Sequence, residues 1–289
     1  MNNKPPADII IHNQLNLLLE ELEDEFDSDV ISFSGPIEYG LEKEFLHIVE
    51  DLKAELGATK ERLTVVLTTE GGSAETVERF VNIIRKHYSE VNFVVPDYAY
   101  SAGTIFCMSG DNIYMDYYST LGPIDPQVLN KDGRWVAALG YLDKIKELLD
   151  KANAPNFSAV EFAILKDFDL GELRSYEQAK DLTIDLLKKW LVRYKFKNWT
   201  HRSSTKKEVT LEEKQERAAE IARQLSDNNR WKSHGRSINI EELTALGLKI
   251  EDYSSDANKT KKIRAYYDLL SDYRAKRGIQ IFVHSRRYI

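Results

Sequence analysis

Cysteine is almost missing from this chain. Cys107 stands alone among 289 residues, which excludes an internal disulfide and any cysteine-rich metal centre; on its apolar segment it reads as core filler. Long apolar runs are missing too. No stretch approaches the ~18 uninterrupted apolar residues of a membrane span. The start Met1-Asn2-Asn3-Lys4-Pro5-Pro6 lacks an apolar signal core, so neither a membrane span nor export is expected and the chain reads as cytoplasmic. There is no internal repeat and no low-complexity segment. A surplus of positive charge is also lacking: the net charge of −7 argues against a dedicated nucleic-acid binder, which needs a concentrated basic face.

What is present is an ordinary globular composition, 42% hydrophobic and 10% aromatic, enough to bury a full core. Charge is unevenly spread. Residues 20–27 are almost all acidic, whereas the tail from Lys259 onward carries Lys261, Lys262, Arg264, Arg274, Lys276, Arg277, Arg286 and Arg287. Two readings follow: solvated helix faces, or acidic and basic ends that meet between neighbouring subunits.

Residues 8–26 have the spacing of an amphipathic entry helix. A strand at 30–37 stops at Gly35-Pro36. Helical spacing returns over 42–56, a near-continuous apolar strand over 63–68, a helix over 75–88 and a strand over 91–96. This βα repetition predicts a parallel, helix-covered sheet with right-handed crossovers. After Asp125 the pattern turns helical, over 139–152, 158–166, 172–196 and 208–226, with a loop at 198–205. A closing βα-type element at 236–250 returns to the core, followed by a basic helix at 259–277 and a terminal strand at 279–283.

Two short segments carry the chemistry. Thr68-Thr69-Glu70-Gly71-Gly72-Ser73 and Tyr100-Ser101-Ala102-Gly103-Thr104 each lie where a strand hands over to a helix, and such places present unpaired backbone N–H groups. Gly71 and Gly72 lack Cβ atoms, so that turn can adopt left-handed dihedrals and let a carbonyl approach the main chain. Ser101 opens a small-then-apolar buried helix, where the N–H of Ala102 and the helix dipole favour an anionic intermediate. Taken singly, each has a plain structural reading, a common tight turn and a helix N-cap.

The order strand, Gly-Gly-Ser, helix, strand, Ser-Ala-Gly-Thr, buried helix continues into Asp111-Asn112-Ile113-Tyr114-Met115 and Ser119-Thr120-Leu121-Gly122-Pro123-Ile124-Asp125-Pro126-Gln127. Together with Gly235-Arg236-Ser237-Ile238-Asn239-Ile240-Glu241-Glu242-Leu243-Thr244-Ala245-Leu246-Gly247-Leu248, it resembles the Clp-protease/crotonase superfamily. Within it, the chain is most similar to the signal peptide peptidase A-like and serine dehydrogenase proteinase-like serine proteases. The likeness spans about residues 29–128 and 232–253. It implies an α/β fold, a Clp-protease/crotonase-like spiral of βα units with a helical extension. The implied division is a core carrying nucleophile and oxyanion loop at 1–128, a helical extension at 129–231, a closing element at 232–255, and a basic helix and tail at 256–289.

The resemblance implies an ATP-independent serine endopeptidase acting on peptides or unfolded proteins, without cofactor or metal and with self-association into a homo-oligomer. Ser101 would be the nucleophile, with Gly71, Gly72 and Ala102 binding the oxyanion and substrate. A serine needs a base. No histidine follows Ser101 where Clp-type peptidases place theirs, which leaves the family's other solution, a lysine made basic by burial. In compact members it lies about forty residues after the serine near a helix start, and Lys144 occupies that place, with Lys146 and Lys131 as alternatives. Solvated helix lysines paired with carboxylates are the commoner outcome for such residues. His234, just before the closing motif, is either a packing residue or an active-site contributor. Asp125, in a proline-stiffened loop, either braces that loop or orients the base and shapes the cleft. The rival functions are a crotonase-type acyl-CoA enzyme, for which the expected glutamates are missing, and a non-catalytic scaffold.

Overall fold

The computed structural model describes residues 5–54, 60–129, 135–152, 157–202 and 205–289. The first helix, α1 (Pro6–Phe26), buries Leu15, Leu19, Leu22 and Phe26, one apolar stripe at helical spacing. Strand and helix then alternate as β1 (Asp29–Ser34), α2 (Glu42–Lys53), β2 (Arg62–Thr68), α3 (Ala74–His87), β3 (Glu90–Val94), β4 (Tyr98–Ala99), α4 (Ala102–Cys107) and β5 (Asn112–Met115). Next come β6 (Thr120–Leu121), the pair β7 (Gln127–Leu129) and β8 (Trp135–Ala137), and the helices α5 (Ala138–Ala152), α6 (Ala159–Lys166) and α7 (Leu170–Trp190). A π-helical turn at Leu191–Lys195 ends α7 and leads through α8 (Leu211–Leu225) and α9 (Asn228–Trp231) to α10 (Ile240–Ala245). The chain closes with β9 (Glu251–Asp252), α11 (Ala257–Arg277) and β10 (Phe282–His284).

The central sheet has the order β10-β1-β2-β3-β5-β9. All its pairs are parallel except the β10 edge, which runs antiparallel with Phe33 opposite Val283. Side chains alternate across it. Ile31, Phe33, Leu63, Val65, Leu67, Val91, Phe93 and Ile113 enter the larger core, which they share with α2, α3, α4, α7 and α8. Val30, Val66 and Val94 point the other way, into a smaller core closed by α1 and α11. The strands are therefore apolar on both faces, as buried parallel strands must be.

The acidic start and basic tail do meet, but within one chain. α1 and α11 lie together on the same face of the sheet, with Lys262 Nζ 2.8 Å from Glu25 Oε2 and Arg277 Nε donating to Asp8 Oδ1 at 2.9 Å. Arg286 reaches Asp29 Oδ1 at 2.8 Å. The expected helix at 172–196 begins at Leu170 and turns π-helical after Trp190, and Leu187, Trp190, Leu191, Ala218 and Ile221 are buried in the larger core. By contrast, α6 buries none of its residues. The two-residue strand β9 is too short for any periodicity to announce. Among the described residues no helix is long and apolar enough to cross a membrane.

Candidate active site

The two motif loops lie side by side at the carboxyl ends of the strands, bound by main-chain hydrogen bonds. Thr69 N–H donates to Tyr98 O at 3.0 Å, and Tyr100 N–H to Thr69 O at 2.9 Å. On its other flank the diglycine loop grips Ile37: Ile37 N–H donates to Gly71 O and Ser73 N–H to Ile37 O, both at 2.8 Å. Both glycines are required by the geometry. Gly71 has φ +110°, and a Cβ there would stand 2.8 Å from Ser101 Cβ and from Tyr100 O. Gly72 has φ +140°, and its Cβ would fall 2.1 Å from Ile37 O. Only glycine permits that conformation and that closeness.

Ser101 sits between β4 and α4 with φ 53° and ψ −117°, a backbone state that costs a non-glycine residue about 1–3 kcal/mol. The sharp turn sets its side chain beside Gly71 rather than capping α4, for its hydroxyl makes no cap hydrogen bond. The parallel bridge to Ile37 uses the Gly71 carbonyl and the Ser73 N–H, which turns the Gly72 N–H to the opposite side. Among the described residues, neither the Gly72 N–H nor the Ala102 N–H has an acceptor. Both lie in the two loops that meet at Ser101. An alcohol next to two unpaired donors at a helix start is the arrangement that binds a tetrahedral oxyanion.

A third segment closes on this pair. Thr104 Oγ1 donates to Ala99 O at 2.8 Å or to Gly122 O at 2.9 Å and accepts from Gly122 N–H at 3.0 Å. Leu121 and Ile238 exchange main-chain hydrogen bonds, and Tyr100 Oη meets Ser237 Oγ at 3.1 Å. Tyr98 stacks on Tyr100 with ring centroids 5.2 Å apart. Burial, reinforced by Glu70, pushes the Tyr98 phenol up to about 12, so it stays protonated and donates to Glu70 Oε1 at 3.1 Å.

Lys144 stands apart from this ground. It lies on the exposed face of α5 with Nζ 2.9 Å from Glu147 Oε2 and a side chain 55% exposed. Hydrogen bonds from Lys151 first and Lys144 next pull the Glu147 carboxyl down to about 2. Lys146 is likewise exposed, and Lys131 lies outside the described residues. Asp125 is buried, and His234 Nδ1 meets its Oδ1 at 2.5 Å. The sequence marked these two residues separately; their pairing joins positions 109 residues apart, which no local pattern reveals. Thr104, the peg between loops, was also missed, because a threonine in an apolar helix gives no signal of what it will bind. Among the described residues there is no cluster of three or more His, Cys, Asp or Glu able to hold a metal ion.

Comparison with known proteins agrees with this layout. The chain is 24% identical over 287 residues to the uncharacterized protein MJ0137 of Methanocaldococcus jannaschii, covering 95% of this chain and 86% of that one. It is also 24% identical over 225 residues to MJ1495 of the same organism, covering 77% of this chain and 60% of that longer protein. Among solved structures, an alanine variant of the 1510-N membrane-bound stomatin-specific protease superposes with a TM-score of 0.46 at 16% identity, over 81% of this chain and 82% of that one. A second alanine variant of it, in complex with a substrate peptide, gives 0.41 at 17% identity, over 80% and 78%. The family model for ClpP-like SDH-type serine proteinases matches residues 50–280. With its mostly parallel sheet wrapped by helices and most of its length matched by that model, the chain belongs to the ClpP-like SDH-type serine proteinase family.

Proposed function

We propose that this protein is an ATP-independent peptidase that cleaves peptides or unfolded proteins through an acyl-enzyme on Ser101. One observation carries the reading: Ser101 is held in a left-handed turn, its Cβ against Gly71, where the acceptor-free N–H groups of Gly72 and Ala102 converge. Ser101 Oγ attacks the scissile carbonyl, and the two N–H groups stabilise the resulting oxyanion. The amine leaves with a proton, and water resolves the ester. Removing one such donor typically lowers kcat about 100- to 1000-fold. Gly71 acts by standing aside, since any side chain there would strike Ser101.

The resemblance gives the role of proton acceptor to Lys144. That assignment needs α5 to free Lys144 from Glu147 and carry its amine out of water, because a lysine is a base near neutral pH only when burial disfavours its charge. Self-association belongs to the same reading, and light scattering of the purified protein measures it. A fluorophosphonate probe tests the core of the proposal. The wild type should be labelled on Ser101 and Ser101→Ala should not. An unlabelled wild type would instead leave a scaffold, and turnover of an acyl-CoA thioester that survives Ser101→Ala would leave a crotonase-type enzyme.

A further inference from the structure

We infer that His234, held by Asp125, is the base that takes the proton of Ser101; the inference rests on the peptidase reading of that serine. Asp125 is 2% exposed, in a loop bracketed by Pro123 and Pro126 and tied down by Ile124 N–H donating to Leu225 O at 3.1 Å. A buried carboxylate is costly unless partnered. Its partner is the imidazole of His234, whose Nδ1 meets Oδ1 at 2.5 Å, while the His234 side chain keeps 26% of its surface open. With its Nδ1–H donating to the carboxylate, the ring presents Nε2 as a free lone pair. A carboxylate that fixes the tautomer and orientation of a half-open histidine is the support a general base requires.

Position connects the pair to Ser101. Asp125 lies three residues beyond Gly122, and a Cβ on Gly122 would stand 3.2 Å from Tyr100 Cα, on the residue just before the serine. His234 lies three residues before Ser237, whose hydroxyl meets Tyr100 Oη at 3.1 Å. The two segments are zipped together by Leu121 N–H to Ile238 O at 3.0 Å and Ile238 N–H to Leu121 O at 2.8 Å. The pair therefore belongs to the strand-end segments that wall Ser101, whereas the nearest partner of Lys144 is Glu147 on the outer face of α5. Catalytic hydrogen bonds are commonly long before substrate binds and tighten afterwards.

The chemistry balances within these groups. As the Oγ–C bond forms, the Ser101 proton passes to His234 Nε2 and the carbonyl π pair moves onto the oxyanion. The imidazolium then returns that proton to the amine nitrogen as the C–N bond breaks. Water loses a proton to the same nitrogen while adding to the ester, and Ser101 recovers it on leaving. Asp125 stays a carboxylate throughout and is a positioning residue.

The test measures fluorophosphonate labelling rates of Ser101 and peptide turnover in the full chain. Loss of a general base lowers rates about 100- to 10,000-fold, so His234→Ala should label Ser101 that much more slowly, with imidazole in the buffer restoring part of the rate. His234→Gln, which keeps the volume, should be equally slow, and Asp125→Asn should lower kcat more than it raises KM. If the wild type labels and His234→Ala labels as fast, the inference fails while the peptidase reading stands. The inference also fails if both His234 variants are slow but deaf to imidazole, or if Lys144→Ala removes labelling and His234→Ala does not. An unlabelled wild type overturns both.

Discussion

The two ends of the central sheet differ in what they leave unpaired. At the carboxyl ends of the strands, Ser101 is strained, two loop N–H groups lack acceptors, and glycines keep the space open. At the amino ends, charge is buried and partnered. Asp111, just ahead of β5, accepts from Arg85 Nη1 at 2.8 Å and from Val91 N–H at 2.7 Å and pairs with Lys197. The Arg85 guanidinium lies 3.8 Å from the centre of the Tyr194 ring, and Asp29 accepts from Tyr88 Oη and Arg286, both at 2.8 Å. One end spends stability on readiness to bind; the other supplies it. In open α/β sheets, ligands generally bind beyond the carboxyl ends of the strands, and here that rule coincides with where backbone donors are left free.

Substitutions at each end should show opposite signatures. The largest effect is expected from Gly72→Ala: a methyl 2.1 Å from Ile37 O at φ +140° has no place, so the loop must rearrange. Probe labelling of Ser101 should fall at least about 100-fold, the order expected for losing an oxyanion donor, together with a lower melting temperature. Next is Asp111→Ala, which strands the Arg85 charge where its side chain is only 8% exposed. Breaking such a pair costs about 3–5 kcal/mol, read by urea unfolding, while labelling of Ser101 in the still-folded protein should stay close to the wild-type rate. Equal loss of activity and stability in both variants would erase the contrast between the ends.

Ser101→Gly comes third and has the reverse sign. Relieving the left-handed turn should stabilise the chain by about 1 kcal/mol while abolishing labelling; a destabilised glycine variant would mean that the turn is not strained. The smallest effect is one of pH. Burial lowers the Lys195 amine from 10.5 to about 8, against the pull of Glu251 and Asp111. The unfolded chain then holds this proton to higher pH than the folded chain does. Between about pH 8 and 10.5 this group therefore makes stability rise with pH. Lys195→Met should flatten that rise, as measured by urea unfolding at several pH values across the window.

Much of the fold was legible along the chain because helix and strand periodicities are local. The stripe in α1, the apolar runs of β1, β2 and β3, and the glycines before α3 all announce themselves within one window. The site was legible in halves. Gly71, Gly72 and Ser101 stand out because each lies at a strand-to-helix junction, where backbone donors are free. Lys144 had a spacing to recommend it, yet spacing says nothing of exposure, and on α5 the amphipathic face that could have buried it is taken by Ile145 and Leu148. Asp125 and His234 each drew notice, but their contact depends on how α8 and the closing segment return to the sheet.

By itself, then, the sequence determined the alternation of strand and helix, the two glycine-dependent turns and the serine at a helix start, because these follow from side-chain periodicity and from the residues that backbone geometry tolerates. Tertiary structure alone decided that the acidic first helix meets the basic tail of its own chain, that Lys144 faces water, and that a histidine late in the chain sits on a buried aspartate near the serine. Those outcomes depend on which surfaces are brought together across long loops. Burial and partnership are properties of the packed molecule, and no stretch of chain carries them alone.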